Sequence, residues 1–402
     1  MFQFYQPGFR RWMTVPSILA GAVALLCAPG LVGGLAEAKP HLVLDMSNGR
    51  VIDHRQAHDP WHPASLTKLM TAYSALKAVE RGEIALTSPV RISRNAKKQP
   101  PSRMGYSVGT TLTLDNALKL LLVKSANDVS VAIAETVSGS AKAFAQQMTA
   151  DARALGMGRS RFENPHGLHH PRQVTTAHDM ARLILALQRD FPRLQRMFEA
   201  ASLTAPKRNK EGKIVRRTYR SFNLLLERFA GADGFKTGFV CASGYNFIGS
   251  ATRSGRRIAA IVLGRDGQRS RAVDAAKFIS EGFQQPVGAG APLDDVKPGS
   301  DTRSSPVNLR PNMCSEKAWA ERYNPAAGQA VIESPWLQPR QFKETTLRVT
   351  LGGTSGPTNA KKRSGSGTVR LRRVPVPTFR PDGREAALKP ASQRVISARV
   401  SQ

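Results

Sequence analysis

Cysteine is nearly absent from this chain of 402 residues: three occur, Cys27, Cys241 and Cys314, and none forms a C-x-x-C pair. That excludes a disulfide-built scaffold and a thiolate zinc cluster. Acidic residues are also scarce, with 29 Asp and Glu against 59 Lys and Arg, a formal charge of +30. Such an excess first suggests a polyanionic partner, because Lys and Arg gain affinity by releasing counterions. Aromatic residues are only 6% of the chain, and no basic run is interleaved with rings on which bases would stack. No nucleic-acid partner is therefore expected. The most apolar run, residues 15–27, contains Pro16 and is followed by Pro29, short of the roughly 20 residues of a spanning helix. Hydrophobic residues make up 41%, enough for a real core, and the length suits two or three units of about 150 residues.

Residues 1–14 carry Arg10 and Arg11 and no acid. The apolar stretch follows, then small residues ending in Ala36-Glu37-Ala38. A positive start, an apolar middle and an A-x-A site predict a secretory signal peptide over residues 1–38, and hence export to the periplasm or cell envelope. Cys27 would leave with it. Cys241 and Cys314 would then stand in an oxidising compartment, and their spacing leaves open whether they pair.

From 39 to 286 the pattern is mixed α and β. Residues 41–46 and 51–54 flank Ser47-Asn48-Gly49-Arg50 and read as a hairpin. Helical periods run over about 65–79, 114–124, 129–137, 141–154 and 176–188. Two β-branched runs, 245–252 and 256–263, surround Ser254-Gly255 as a second hairpin, and 271–283 reads as a closing helix. Strands at both ends with helices between them predict an α/β sandwich whose terminal strands meet in one antiparallel sheet covered by helices. Residues 287–402 are rich in Pro, Gly, Ser and Thr, with 19 basic and 9 acidic residues. This composition predicts a basic, largely disordered tail, although 346–351 and 368–376 are β-like and leave a small appended module open.

Three short motifs carry the chemistry. In Ser65-Leu66-Thr67-Lys68, Ser and Lys stand three apart at a helix start and share a face. A serine needs a neighbouring base to become a nucleophile. Lysine, with an ordinary pKa of about 10.4, serves only where burial or a second cation lowers it. Ser125-Ala126-Asn127, between two helical runs, offers a hydroxyl to relay a proton and an amide to orient the lysine or a substrate carbonyl. Lys236-Thr237-Gly238 precedes the terminal hairpin. A cation, a hydroxyl and a glycine at a strand edge suit a carboxylate laid along it, and the Lys236 charge would lower the pKa of Lys68. Each motif alone is ordinary cap, loop or strand chemistry; the three in this order are not.

These motifs, with residues 61–71 (WHPASLTKLMT), 102–105 (SRMG), 120–135 (LLLVKSANDVSVAIAE), 162–168 (FENPHGL), Asp179-Met180 and 234–238 (GFKTG), resemble the low-molecular-mass penicillin-binding proteins, the serine-type D-alanyl-D-alanine carboxypeptidases. The resemblance spans about 40–285 and none of the tail. It implies a β-lactamase/D,D-peptidase-like fold, no cofactor and no metal. Ser65 is implied as the nucleophile on the penultimate D-Ala carbonyl of a peptidoglycan stem peptide, with Lys68 as base. Ser125 and Asn127 would assist proton transfer and positioning, Lys236, Thr237 and Gly238 would hold the terminal carboxylate, and the N–H groups of Ser65 and Phe239 would form the oxyanion hole. β-Lactams would be covalent inhibitors.

Two departures bear on substrate affinity. Val240 stands where many relatives carry Thr. Ser221-Phe222-Asn223 align with Asn-Arg-Asn, which removes an expected carboxylate-binding arginine and leaves Arg220 as its nearest replacement. His166, His169, His170 and Glu163 cluster without the spacing of a zinc motif. A D,D-endopeptidase would use the same groups, and a slow-acylating wall-binding protein is a third reading. A β-lactamase is disfavoured, because no E-x-x-L-N follows Glu163. The basic tail would add about 1 kcal/mol per Lys or Arg near an anionic membrane or wall polymer; a spacer role stays equally open.

Overall fold

A computed structural model of the protein describes residues 39–323, 334–341 and 345–357. The signal peptide expected over residues 1–38 and the β-like stretch 368–376 lie outside the described residues. β1 (His41–Asp45) and β2 (Arg50–Arg55) form the expected antiparallel hairpin. A single 3-10 turn, Ala64–Leu66, leads into α1 (Thr67–Glu80). There follow β3 (Pro89–Arg91), α2 (Arg94–Lys98) and β4 (Thr111–Thr113). The helical layer continues with α3 (Leu114–Leu122), α4 (Asn127–Ser138), α5 (Ala141–Ala154), α6 (Ala177–Asp190) and α7 (Gln195–Phe198). Its starts are set locally: the hydroxyls of Thr113, Ser140 and Thr176 accept the N–H groups of Asn116, Ala143 and Asp179, satisfying donors that a helix leaves free. The chain returns through β5 (Ser202–Arg208), β6 (Ile214–Arg220), β7 (Ala232–Val240), β8 (Gly244–Arg253) and β9 (Arg256–Arg265), then α8 (Gln268–Gln284).

The main sheet has the order β10-β2-β1-β9-β8-β7, with β10 at Ala291–Pro292. The terminal strands meet as anticipated, β1 lying antiparallel to β9. Successive residues on a strand point to opposite faces, and both faces here are covered. Leu42, Leu44, Ala259, Ile261 and Leu263 face the helical layer and pack with Leu69, Leu76 and Ile184. Val43, Ile258, Ala260 and Val262 face the other way, onto Ala272, Ala275, Ala276 and Ile279 of α8. Hence β1 and β9 read as continuous apolar runs rather than alternating ones.

Two parts of the sequence reading change. β5 and β6 were not anticipated: in β6 every residue but Tyr219 is exposed, so no apolar alternation marks it. The expectation of a largely disordered stretch from 287 needs correction over the described part. Leu293, Val296, Leu309, Met313 and Val349 are buried against the domain, and α9 (Arg310–Met313), α10 (Glu316–Tyr323) and β11 (Thr346–Arg348) follow, β11 pairing parallel to β5. The physical reason is that these isolated apolar residues need no core of their own; each fills a groove that the folded domain already offers. Cys241 and Cys314 form a disulfide across 73 residues of sequence.

Candidate active site

Ser65 sits in the tight turn that opens α1, and two glycines allow other chain segments to close on it. At Gly238 a Cβ would stand 3.0 Å from both Pro63 O and Ser65 N, so β7 lies against the turn only because the side chain is absent. Gly167 has φ +87° and a Cβ there would overlap the carbonyl oxygen of Ala64. Ala64 itself is held at φ +48°, a conformation that costs a residue with a side chain about 1–2 kcal/mol. Ser65 is thus fixed between β7 and the loop 163–168.

Lys68, one turn on, is fully buried. Its Nζ donates to Ser65 Oγ at 2.9 Å, Asn127 Oδ1 at 2.8 Å and the carbonyl of His166 at 2.6 Å. Burial, and then the charge of Lys236, holds the amine well below the ordinary lysine range, with Asp128 opposing. Asn127 is aimed by its own bonds: its N–H donates to Ser102 O at 2.7 Å and its Nδ2 to Pro100 O at 2.9 Å. Ser125 is buried, at φ +60° in the loop before α4. Among the described residues no hydrogen bond joins it to Ser65 or Lys68.

Lys236 and Thr237 are buried on β7, an edge strand of the sheet. Lys236 Nζ donates to Thr237 O at 3.0 Å, and burial with the charges of Arg271 and Lys124 lowers its pKa to about 7. The rings of Phe239 and Tyr245 meet at a tilt of 36°, with centroids 4.3 Å apart. The eight residues expected from the sequence therefore come together: Ser65, Lys68 and Asn127 in one bonded network, Ser125 in the adjoining loop, and Lys236 to Phe239 along one edge.

Sequence reasoning passed over three contributors. Arg271, at the start of α8, is buried and donates to Gly238 O at 3.2 Å and Asn246 O at 3.3 Å; nothing in its local sequence marks it. Lys124 lies half-buried beside the Ser125 loop, its Nζ 3.0 Å from Ser102 Oγ and over the rings of Tyr219 and Phe222 at 5.5 and 5.2 Å. A lysine abutting Ser125 was a readable signal. His166 supplies its carbonyl, while burial lowers its imidazole pKa to about 3; the neutral ring accepts the N–H of Leu168 on Nδ1. Arg220, the nearest replacement for the missing arginine, is instead paired with Glu227 at 3.3 Å. Asn223 is buried and donates to Gly234 O at 3.1 Å, tying the chain before β7 to that strand. Glu163 is taken up by Arg161 and Arg172.

The sequence profile described as D-alanyl-D-alanine carboxypeptidase matches residues 34–267, more than half of the chain. The chain belongs to the D-alanyl-D-alanine carboxypeptidase family. Among curated members it is 32% identical to D-alanyl-D-alanine carboxypeptidase DacC of Escherichia coli over 254 residues, 62% of each protein. The match thus spans about three fifths of that relative's length. Among solved structures, the family member DacD from Francisella tularensis superposes with a TM-score of 0.59 at 27% identity, over 62% of this chain and 71% of that one. Penicillin-binding protein D2 from Listeria monocytogenes, solved in its cefotaxime-bound form, gives 0.53 at 28% identity over 61% and 97%. The family match runs through β9 and ends just before α8.

Proposed function

We propose that the protein is a serine D,D-carboxypeptidase acting on peptidoglycan stem peptides that end in D-Ala-D-Ala. The observation that carries this reading is the buried Lys68 amine bonded to Ser65 Oγ and depressed in pKa beside a second cation. Neutral Lys68 takes the Ser65 hydroxyl proton as Oγ adds to the penultimate carbonyl. The N–H groups of Ser65 and Phe239 receive the oxyanion, where one lost donor costs about 3 kcal/mol. Lys68, with Ser125 as relay, returns the proton to the departing D-Ala amine as the C–N bond breaks. Water then adds to the acyl-enzyme, again giving its proton to Lys68, which passes it to Ser65 Oγ as the acyl C–O bond breaks. Lys236 and Thr237 hold the terminal carboxylate, Gly238 lets it lie close, and Asn127 orients the amine.

β-Lactams acylate the same serine in this reading, in line with the relative solved with cefotaxime. Export under a signal over residues 1–38, a catalytic domain over 39–286, and contact of the basic tail with an anionic membrane or wall polymer complete the proposal. Sedimentation with envelope material that is equal for residues 39–286 and 39–402 would remove the tail contact.

The deciding experiment incubates residues 39–402 with a pentapeptide muropeptide and weighs the products beside Ser65→Ala. Loss of one alanine, absent in the variant, is expected. An unchanged pentapeptide with cleaved cross-linked dimers would make it an endopeptidase, and acylation without turnover a binding protein.

A further inference from the structure

The family match ends at residue 267, yet a later segment reaches the rim of the site. β7 ends at Val240, and the next residue, Cys241, is disulfide-bonded to Cys314. Leu309 N–H donates to Ala242 O at 3.0 Å. Leu309 also closes on Gly244, where a Cβ would stand 3.1 Å from its Cδ1. Leu309 and Met313 are buried and join the main core. A covalent bond, a hydrogen bond and two buried side chains thus fix α9 against the β7–β8 turn. Arg310, between those anchors, is exposed and has no ion-pair partner among the described residues. Burial, and then the charges of His62 and Arg310, lower the pKa of His169, whose ring lies 4.7 Å from that of His62, three residues before Ser65.

The direction of a bound peptide follows from β7. With the terminal carboxylate at Lys236 and Thr237 and the scissile carbonyl at the Phe239 N–H, the chain on the acyl side runs past Val240 toward the turn at 241–244. We propose that Arg310, presented there by the disulfide, is a specificity-determining residue that pairs with an anionic group on the acyl side of the scissile bond. The favoured ligands are D-Ala-D-Ala peptides with a free side-chain carboxylate upstream of that pair. This rests on the carboxypeptidase reading, which fixes the polarity of the bound chain.

The test compares wild type, Arg310→Ala and Arg310→Glu on two probe pairs. One pair is a pentapeptide ending in D-Ala-D-Ala whose third residue bears a free or an amidated side-chain carboxylate. The other is carbenicillin, with a carboxylate on its acyl side chain, and benzylpenicillin, without one, read as acylation rates. Arg310→Ala is expected to lower the acid-to-neutral ratio about tenfold, as loss of one charge-assisted contact does, and Arg310→Glu to lower it further, with neutral probes within about twofold of wild type. An unchanged ratio, or equal loss on both members of a pair, overturns the assignment. If neither peptide is cleaved, the carboxypeptidase reading fails, and the penicillin pair still decides the role of Arg310.

Discussion

Replacing Lys68 by Met separates its chemical role from its structural one. The substitution keeps the volume and removes the amine, leaving Asn127 Oδ1 and the His166 carbonyl without the donor they now share. Each orphaned acceptor costs about 1–3 kcal/mol. Against this, the variant no longer holds a lysine below its ordinary pKa, which costs about 1.4 kcal/mol per unit wherever the unfolded amine is protonated. The two effects oppose, so Lys68→Met is expected to fold with stability within about 2 kcal/mol of wild type at neutral pH. Acylation by a fluorescent penicillin should nevertheless slow by at least about a hundredfold, the low end for loss of a general base. The pH dependence of stability gives a second reading. Because Lys68 and Lys236 bind protons more weakly folded than unfolded, unfolding takes up protons and stability rises with pH, by about 1.4 kcal/mol per unit for each. For Lys236 the window opens at about 7 and closes at the ordinary lysine value, 10.5. Urea unfolding between about pH 7.5 and 9.5 should therefore show a slope reduced by up to one proton in Lys68→Met. Equal slopes in the two proteins, or acylation within about tenfold of wild type, would refute the assignment of Lys68 as a depressed, catalytic amine.

Lys236 must be charged to hold a carboxylate and loses its proton at about 7, so kcat/KM for the pentapeptide should fall above that pH. The descending limb of kcat should lie higher, because a bound carboxylate raises the Lys236 pKa; coincident limbs would contradict the pairing. Gly167→Ala, which drives a Cβ into the Ala64 carbonyl at φ +87°, should cost about 1–2 kcal/mol in backbone strain and slow acylation more than it lowers Tm. Unaltered acylation would show that the loop does not hold Ser65. Replacing Cys241 and Cys314 together by Ser opens a link across 73 residues, worth up to about 4 kcal/mol by loop entropy, so an unchanged urea midpoint would mean that segment 309–314 is held without it.

The sandwich and the Ser65–Lys68 pair were legible because both are written locally. Ser65 and Lys68 share a helix face at a spacing of three, and β1, β8 and β9 are apolar runs beside turn residues. Asn127 and Lys236 were legible as motif members, but their partners were not: the Asn127 amide is aimed by Pro100 O, and the Lys236 pKa is lowered partly by Arg271, a helix away. The segment after 286 was misread because Leu293, Val296, Leu309 and Met313 are scattered among prolines, glycines and arginines with no period. Their burial is a property of the grooves they meet. β6 failed for the opposite reason, since its backbone pairs with β5 while its side chains point almost wholly to solvent.

The pairing of β1 with β9 also constrains how the molecule reaches its native state. His41 lies opposite Val262 and Asp45 opposite Ile258, so one inner strand of the sheet waits for a partner more than two hundred residues later in synthesis. Closing so long a loop is slow, and contacts of this kind delay folding relative to local ones. Until residue 265 is available, β1 and β2 form a two-stranded hairpin without their neighbour β9, too small to be stable alone in water, and Val43 stays uncovered until α8 follows. The chain therefore has to be kept from aggregating until its last main strands arrive. Any truncation that removes β9 should yield an insoluble product rather than a smaller folded domain.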